Sequence, residues 1–261
     1  MKTKFVAFLT DFGTADPFVS MMKGIVLSRA PKVTILDITH EIPAQNITMA
    51  SFYLMASMNY MPEGTLFVCV VDPTVGTKRK IIWAKTRHYQ FIAPDNGLIS
   101  WVEQNEPIKE VRYIENSKLF LKDISATFHG RDIIAPVAGE IANGLNEEEI
   151  GPITSEYVQN PFPQAQKAGH KIKGQIIAID HFGNAISNIR TGTYRNDAVF
   201  SVADRLIHGI KSTYASVNSG DPLALNGSFG FLEFSIRNGN FAETYDIKIG
   251  TKMESLGTLD D

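Results

Sequence analysis

Two aspartates in this chain stand where a carboxylate can do chemistry. Asp11 lies in Thr10-Asp-Phe-Gly-Thr-Ala-Asp16 and Asp72 in Val71-Asp-Pro-Thr-Val-Gly76, each after an apolar run and each near glycine or proline. Turn residues of that kind hold an acidic group at the rim of a sheet, and open α/β sheets bind ligands beyond the carboxyl ends of their strands. The plainer alternative for Asp11 is a cap on the helix or turn that follows. A third group, Thr127-Phe-His-Gly-Arg-Asp132, comes just before a helical pattern over residues 133–145. A helix N-terminus favours negative charge, and His129 and Arg131 add donors there; a solvated loop histidine is the plainer alternative for His129. Other chemistries lack their residues. There is no Gly-x-x-x-x-Gly-Lys phosphate loop, no Gly-x-Gly-x-x-Gly after the first strand and no Gly-x-Ser-x-Gly elbow. The six histidines are scattered, with no His-Glu-x-x-His or His-x-His, so a metal is unsupported.

The elements that must position these groups alternate in the first half. Residues 5–9 read as a buried strand, and Pro17 offers an N1 start for a helix to about Arg29. Residues 33–38 and 65–71 read as further strands, with a helical pattern over 46–59 between them. Residues 81–84 and 89–93 form a hairpin pair, followed by a short helix after Asn96-Gly97 and a strand near 111–114. The helix of 133–145 ends in Asn143-Gly144. Strands alternating with helices predict an α/β domain over residues 1–160 with a mainly parallel, helix-covered sheet. Residues 161–169, polar and proline-bearing, read as a linker. Beyond it strand patterns dominate, at 172–179, 185–189, 198–202, 206–210, 229–236 and 247–249, which predicts a smaller antiparallel β-barrel or sandwich over 170–261.

Composition narrows the class. The chain has 261 residues, 44% hydrophobic and 20% charged, with a net charge of -3. That balance gives no basic footprint for nucleic acid or an anionic membrane. No stretch approaches the roughly 18 apolar residues of a membrane span, and Asp11 ends the first apolar run too soon for a secretory signal. The single cysteine, Cys69, lies in an apolar run and excludes a disulfide within the chain. The expectation is a cytoplasmic protein.

Six segments in order carry a resemblance: Thr10-Asp-Phe-Gly-Thr-Ala-Asp-Pro-Phe18, Asp72-Pro-Thr-Val-Gly-Thr-Lys-Arg79, Ala93-Pro-Asp-Asn-Gly-Leu98, Thr127-Phe-His-Gly-Arg-Asp132, Ile179-Asp-His-Phe-Gly-Asn-Ala-Ile-Ser-Asn188 and Asn226-Gly-Ser-Phe-Gly-Phe-Leu-Glu233. From about residue 4 to residue 250 the chain resembles the adenosine-forming S-adenosylmethionine (SAM) hydrolases, or SAM hydroxide adenosyltransferases, relatives of fluorinase and chlorinase. The resemblance implies an enzyme that attacks the ribose C5′ of SAM with water, in an SN2 displacement giving adenosine and methionine. It implies no metal and no cofactor, SAM being the substrate. It also implies a homotrimer, with SAM between the N-terminal domain of one subunit and the C-terminal domain of the next. Asp72, Arg79 and His129 match the catalytic positions, where a guanidinium and an imidazole would poise the water. On the substrate side, Asp11 would hold the ribose hydroxyls and Asp180 the methionine ammonium, with Phe128 lining the pocket. Phe182 would lie against adenine and Asn184 bond its edge, with Ser228, Arg237 and Asn238 in the adenine-side loops.

The same comparison separates hydrolase from halogenase. Halogenases use a hydroxyl-rich halide pocket with a serine where this chain has Gly130, and an aromatic residue and a threonine where it has Asp72 and Val75. An anionic Asp72 would repel a halide. Two other readings fit the residues. A non-catalytic SAM or adenosine sensor would need Asp11, Asp180 and Asn184 but not Asp72, Arg79 and His129. A metal-dependent hydrolase would lose activity to chelators.

Overall fold

Strand β1 (Phe5–Thr10) is fully apolar up to its last residue and is buried on both faces, so it belongs in the middle of a covered sheet. In the computed structural model, which describes residues 3–256, it lies between β2 (Thr34–Thr39) and β3 (Leu66–Val70) and is parallel to both. The sheet continues with β5 (Gln90–Pro94), parallel to β3, then β4 (Ile81–Lys85) and β6 (Glu110–Tyr113). Both of the last two ladders, β4 with β5 and β4 with β6, are antiparallel. The six-stranded sheet is therefore mixed, not mainly parallel as the alternation suggested. The hairpin of β4 and β5 inserts β5 beside β3 and sends β4 outward in reverse.

Helices cover both faces. Val6 and Phe8 of β1 join Leu66, Val68 and Trp83 in a core closed by Met22 and Val26 of α1 (Phe18–Arg29) and by Val137, Ala138 and Ile141 of α3 (Ala135–Asn143). Helix α2 (Ile47–Ser57) packs on β1 and β2, capped at its start by Asn46, whose side chain accepts the Met49 N–H. The α1–α3 contact is close because Gly139 has no side chain: a Cβ there would lie 2.9 Å from that of Arg29. A helical glycine costs about 1 kcal/mol against alanine. Here it lets Arg29 reach the Leu119 and Pro136 carbonyls and the Glu140 carboxylate, binding α1 to α3. Two helix starts differ from expectation. Pro17 is the N-cap of α1 rather than its first helical residue, and the helix expected from 133 begins with a π-helical turn at Gly130–Ile134.

The first compact unit ends at Phe162 and the second begins at Pro163. Part of the expected linker is ordered as β7 (Gln166–Ala168), paired with β8 (Lys171–Ile179). The second unit is β-rich, with β9 (Ala185–Arg190), β10 (Val199–Val202), β11 (Arg205–His208), β12 (Ile210–Lys211), β13 (Pro222–Asn226), β14 (Phe231–Ile236), a short helix α4 (Phe241–Thr244) and β15 (Lys252–Leu256). The strand order is β11-β10-β15-β8-β9-β14-β13-β12, and β11 packs near β13, so the sheet is nearly closed like a barrel. All pairings are antiparallel except β12 with β13. Residues 247–249, expected as a strand, form a turn after α4, where the Ile247 N–H bonds to Ala242. Ile247 is buried by packing alone.

Candidate active site

The apolar strands β1 and β3 end side by side, and Asp11 and Asp72 follow them by one and two residues. Both line a cleft of about 330 Å³ in the first unit, together with Phe12, Phe18, Gln45, Phe128 and His129. The loop after β3 turns at Gly76, with φ +81°, and packs so tightly that a Cβ would lie 2.4 Å from the Ala126 carbonyl oxygen. That contact joins the 72–79 loop to the 125–129 loop and brings Arg79 to His129. Asn96, after β5, donates to the Val71 carbonyl at 2.8 Å and so fixes the residue before Asp72.

Arg79 is the centre of a bonded group. Its Nε donates to Asp72 Oδ2 at 2.8 Å, and its Nη2 bonds both Asp72 Oδ2 and, at 3.0 Å, His129 Nδ1. The Asp72 and Arg79 side chains are 6% and 8% exposed, so the pair is shielded from water. Thr74 adds its N–H and hydroxyl to Asp72 Oδ1. A guanidinium only donates; Nδ1 of His129 must accept, and the neutral ring carries its proton on Nε2. Burial and the adjacent Arg79 charge hold His129 below its usual 6.5, against the opposing pull of Asp72 and Asp132. The neutral form is the one the contact with Arg79 requires.

The 125–132 segment is itself pinned. Asp132 is fully buried, and although burial pushes its pKa up, bonds from the Arg131 side chain and the Ser125 N–H together hold it below the carboxylate range. Arg131 stacks over Phe128, whose ring meets Phe12 and Phe18 edge to face at 5.8 and 5.2 Å. The result is an apolar cluster lining the same cleft as Asp72 and His129. A π-turn such as the one at 130–134 frequently marks a functional position.

Asp11 caps no helix. Pro17 makes no side-chain cap bond, and Asp11 Oδ2 instead accepts the Gln45 N–H at 2.8 Å. Gln45 holds φ +64°, a left-handed conformation that costs a non-glycine residue about 1–2 kcal/mol. Sequence reasoning missed Gln45, because a donor from a backbone N–H leaves no side-chain signature.

In the second unit, Asp180, Phe182 and Asn184 share the turn between β8 and β9. Asp180 Oδ1 accepts the Phe182 and Asn184 N–H groups, and Oδ2 accepts the Asn184 amide. Phe182 is 71% exposed, so its ring is not core. Ser228 sits exposed in the turn between β13 and β14. Arg237 donates to the Val217 carbonyl and Asn238, with φ +57°, to Ser219, so both brace the 217–219 turn. Behind Asp180, Glu233 accepts from Tyr214 and Ser235, and burial pushes its pKa up.

The two halves of the chain match two family models: residues 6–151 the SAM hydroxide adenosyltransferase N-terminal domain, and residues 174–254 its C-terminal domain. The chain belongs to this family. Among its relatives is the (R)-S-adenosyl-L-methionine hydrolase of Thermus thermophilus, 33% identical over 96% of this chain and 99% of that one. A fluorinase of an Actinoplanes species is 28% identical over 94% and 95%. A crystal structure of an uncharacterized conserved protein from Thermotoga maritima superposes with a TM-score of 0.89 at 33% identity, covering 96% of this chain and 99% of that one. Among the described residues no helix is long and apolar enough to cross a membrane.

Proposed function

We propose that this member of the SAM hydroxide adenosyltransferase family hydrolyses SAM to adenosine and methionine, with water as the nucleophile at ribose C5′. The observation that carries this reading is the Asp72–Arg79–His129 group, bonded side chain to side chain at the cleft that Asp11 also lines. The oxygen of water forms the new bond to C5′ as the C5′–sulfur bond breaks. Its electron pair neutralises the sulfonium, methionine leaves as a neutral thioether, and one proton passes to solvent. No protonation of the leaving group is needed. The proton leaves for solvent before attack, and Arg79 and the Nε2–H of His129 are both donors toward the resulting hydroxide, so His129 in this tautomer orients the nucleophile rather than taking its proton. Asp72 holds Arg79 and balances its charge. Alignment of water, C5′ and sulfur can supply roughly 7–11 kcal/mol of the barrier.

In the same reading Asp11 accepts from the ribose hydroxyls and Phe128 lines the pocket. Asp180 takes the methionine ammonium, Phe182 covers adenine, and Asn184 meets its edge with the amide capacity left after its bond to Asp180. Ser228, Arg237 and Asn238 complete the adenine side, Arg237 and Asn238 through the backbone they brace. The reading also includes a cytoplasmic homotrimer working without a metal. Halide use is disfavoured by the anionic Asp72 and by Gly130, where a Cβ would already press within 3.1 Å of Met22 Sδ. Turnover of SAM in oxygen-18 water, followed by mass spectrometry, tests the reaction. Label in the 5′-hydroxyl of adenosine, with free methionine, is expected; unlabelled adenosine or no turnover refutes it.

A further inference from the structure

Beside the cleft lies a hydrogen-bonded relay that the reaction as described does not use. Thr10 Oγ1 and His40 Nδ1 are 2.9 Å apart, and His40 Nε2 is 2.9 Å from Asp37 Oδ1. Lys23 of α1 bonds the other oxygen of Asp37 at 2.6 Å. Asp37 as a carboxylate only accepts, so Nε2 of His40 carries a proton, while Nδ1 and the Thr10 hydroxyl share the second bond. The order hydroxyl, imidazole, carboxylate is that of an activated nucleophile, but Thr10 is fully buried and does not line the cleft. Its oxygen faces the backbone instead, accepting the Phe12 N–H at 3.3 Å. The His40 carbonyl accepts the Gly13 N–H at 2.8 Å, and Thr14 reaches Glu41. Asp11 is thus flanked by residues tied to His40, while its own carboxylate meets Gln45 five residues after His40.

We propose that His40 is a positioning residue for substrate: through Thr10 and its own carbonyl it fixes the 10–13 segment, so that the Asp11 carboxylate points into the cleft at the angle the ribose hydroxyls need. The inference rests on the reading of Asp11 as the ribose ligand. Thr10 and His40 are both buried, so removing either leaves the other's polar atom to be satisfied inside the fold.

The test compares His40→Ala, Thr10→Val and Asp11→Ala, with thermal unfolding followed in parallel, on SAM and on its 2′-deoxy analogue. Loss of binding common to ground and transition states raises KM with kcat little changed. His40→Ala and Thr10→Val are expected to raise the KM for SAM about tenfold while kcat stays within about twofold. In the wild-type protein the 2′-deoxy analogue has a raised KM, and in His40→Ala that penalty largely disappears, a coupling that a general loss of stability would not produce. Thr10→Ser, which keeps the hydroxyl, retains the wild-type KM. An unchanged KM in Thr10→Val and His40→Ala, with a raised one in Asp11→Ala, overturns the role of His40 and leaves the ribose reading standing. An unchanged KM in Asp11→Ala overturns the ribose reading itself. Equal effects of Thr10→Ser and Thr10→Val reduce the relay to packing and also overturn the proposal.

Discussion

Replacing Arg79 by Gln separates its structural contribution from its chemical one. The substitution keeps a hydrogen-bonding side chain but removes the charge facing Asp72, whose carboxylate is only 6% exposed. Breaking a buried ion pair by removing one partner costs about 3–5 kcal/mol. Thr74 still donates to Asp72 Oδ1 at 3.3 and 3.4 Å, long contacts that soften the loss, so the lower end applies, about 3 kcal/mol. At about 2–4 °C per kcal/mol for a protein of this size, the unfolding midpoint falls by about 6–12 °C. Hydrolysis falls by about a hundredfold, the cost of removing one donor to developing negative charge, while SAM still binds. The second substitution, Asp72→Asn in the Arg79→Gln background, removes the stranded charge and restores most of the stability but none of the turnover. Thermal unfolding by circular dichroism, adenosine release by chromatography and SAM binding by calorimetry read the three quantities. An Arg79→Gln variant that melts with the wild type, or a double variant that regains turnover, refutes the reasoning.

Acid should act through His129. Its pKa lies below 6.5 in the folded protein, so between that lowered value and 6.5 the unfolded chain binds the proton more readily. Stability from this group is therefore complete above pH 6.5 and is lost as pH falls through that window. Protonation also turns Nδ1 into a donor facing Arg79, so kcat/KM is expected to drop on an acid limb below pH 6.5, and His129→Asn to be slower by at least about tenfold but without that limb; an identical pH profile in the variant contradicts the tautomer assigned here. Gly76→Ala places a Cβ against the Ala126 carbonyl at a φ of +81°. It should destabilise by about 1–2 kcal/mol and lower turnover by more than that stability loss explains, since it parts Arg79 from His129; wild-type turnover in this variant would show that the loop contact does not set the geometry.

The parts of this molecule legible in the sequence are those where a residue type does its work locally. The apolar runs of β1 and β3, the Asn143-Gly144 end of α3 and the β4–β5 hairpin each follow from short-range pattern, and the structure has them within a residue or two. The mixed direction of the first sheet was already implied by that hairpin, but where β5 inserts is a long-range choice, decided by which neighbour buries Phe91 and Ile92. Strand β13 carries no strand signal in the sequence because it begins at Pro222, a residue that argues against a strand interior yet is tolerated as its first residue. Residues 247–249 had the alternation of a strand but not a partner edge, and the alternation served only to bury Ile247.

The site divides the same way. Asp72 and His129 stand out as titratable residues in turn-rich segments and Arg79 through the family resemblance alone, whereas the contacts that hold them are made by groups without chemical signature. Gly76 acts by lacking a side chain, Asn96 by gripping a carbonyl, and Gln45 by offering an N–H from a strained backbone. Strain at Gln45 is worth keeping only if the N–H it aims at Asp11 is needed in that one direction. A carboxylate with one oxygen so occupied presents the other to the cleft in a fixed orientation. In the proposed reading, that orientation, together with the contact of Arg79 with His129, sets where a bound ribose would place its C5′ relative to the donors. Each candidate residue is therefore legible within its own segment, while the distances between them are a property of the fold.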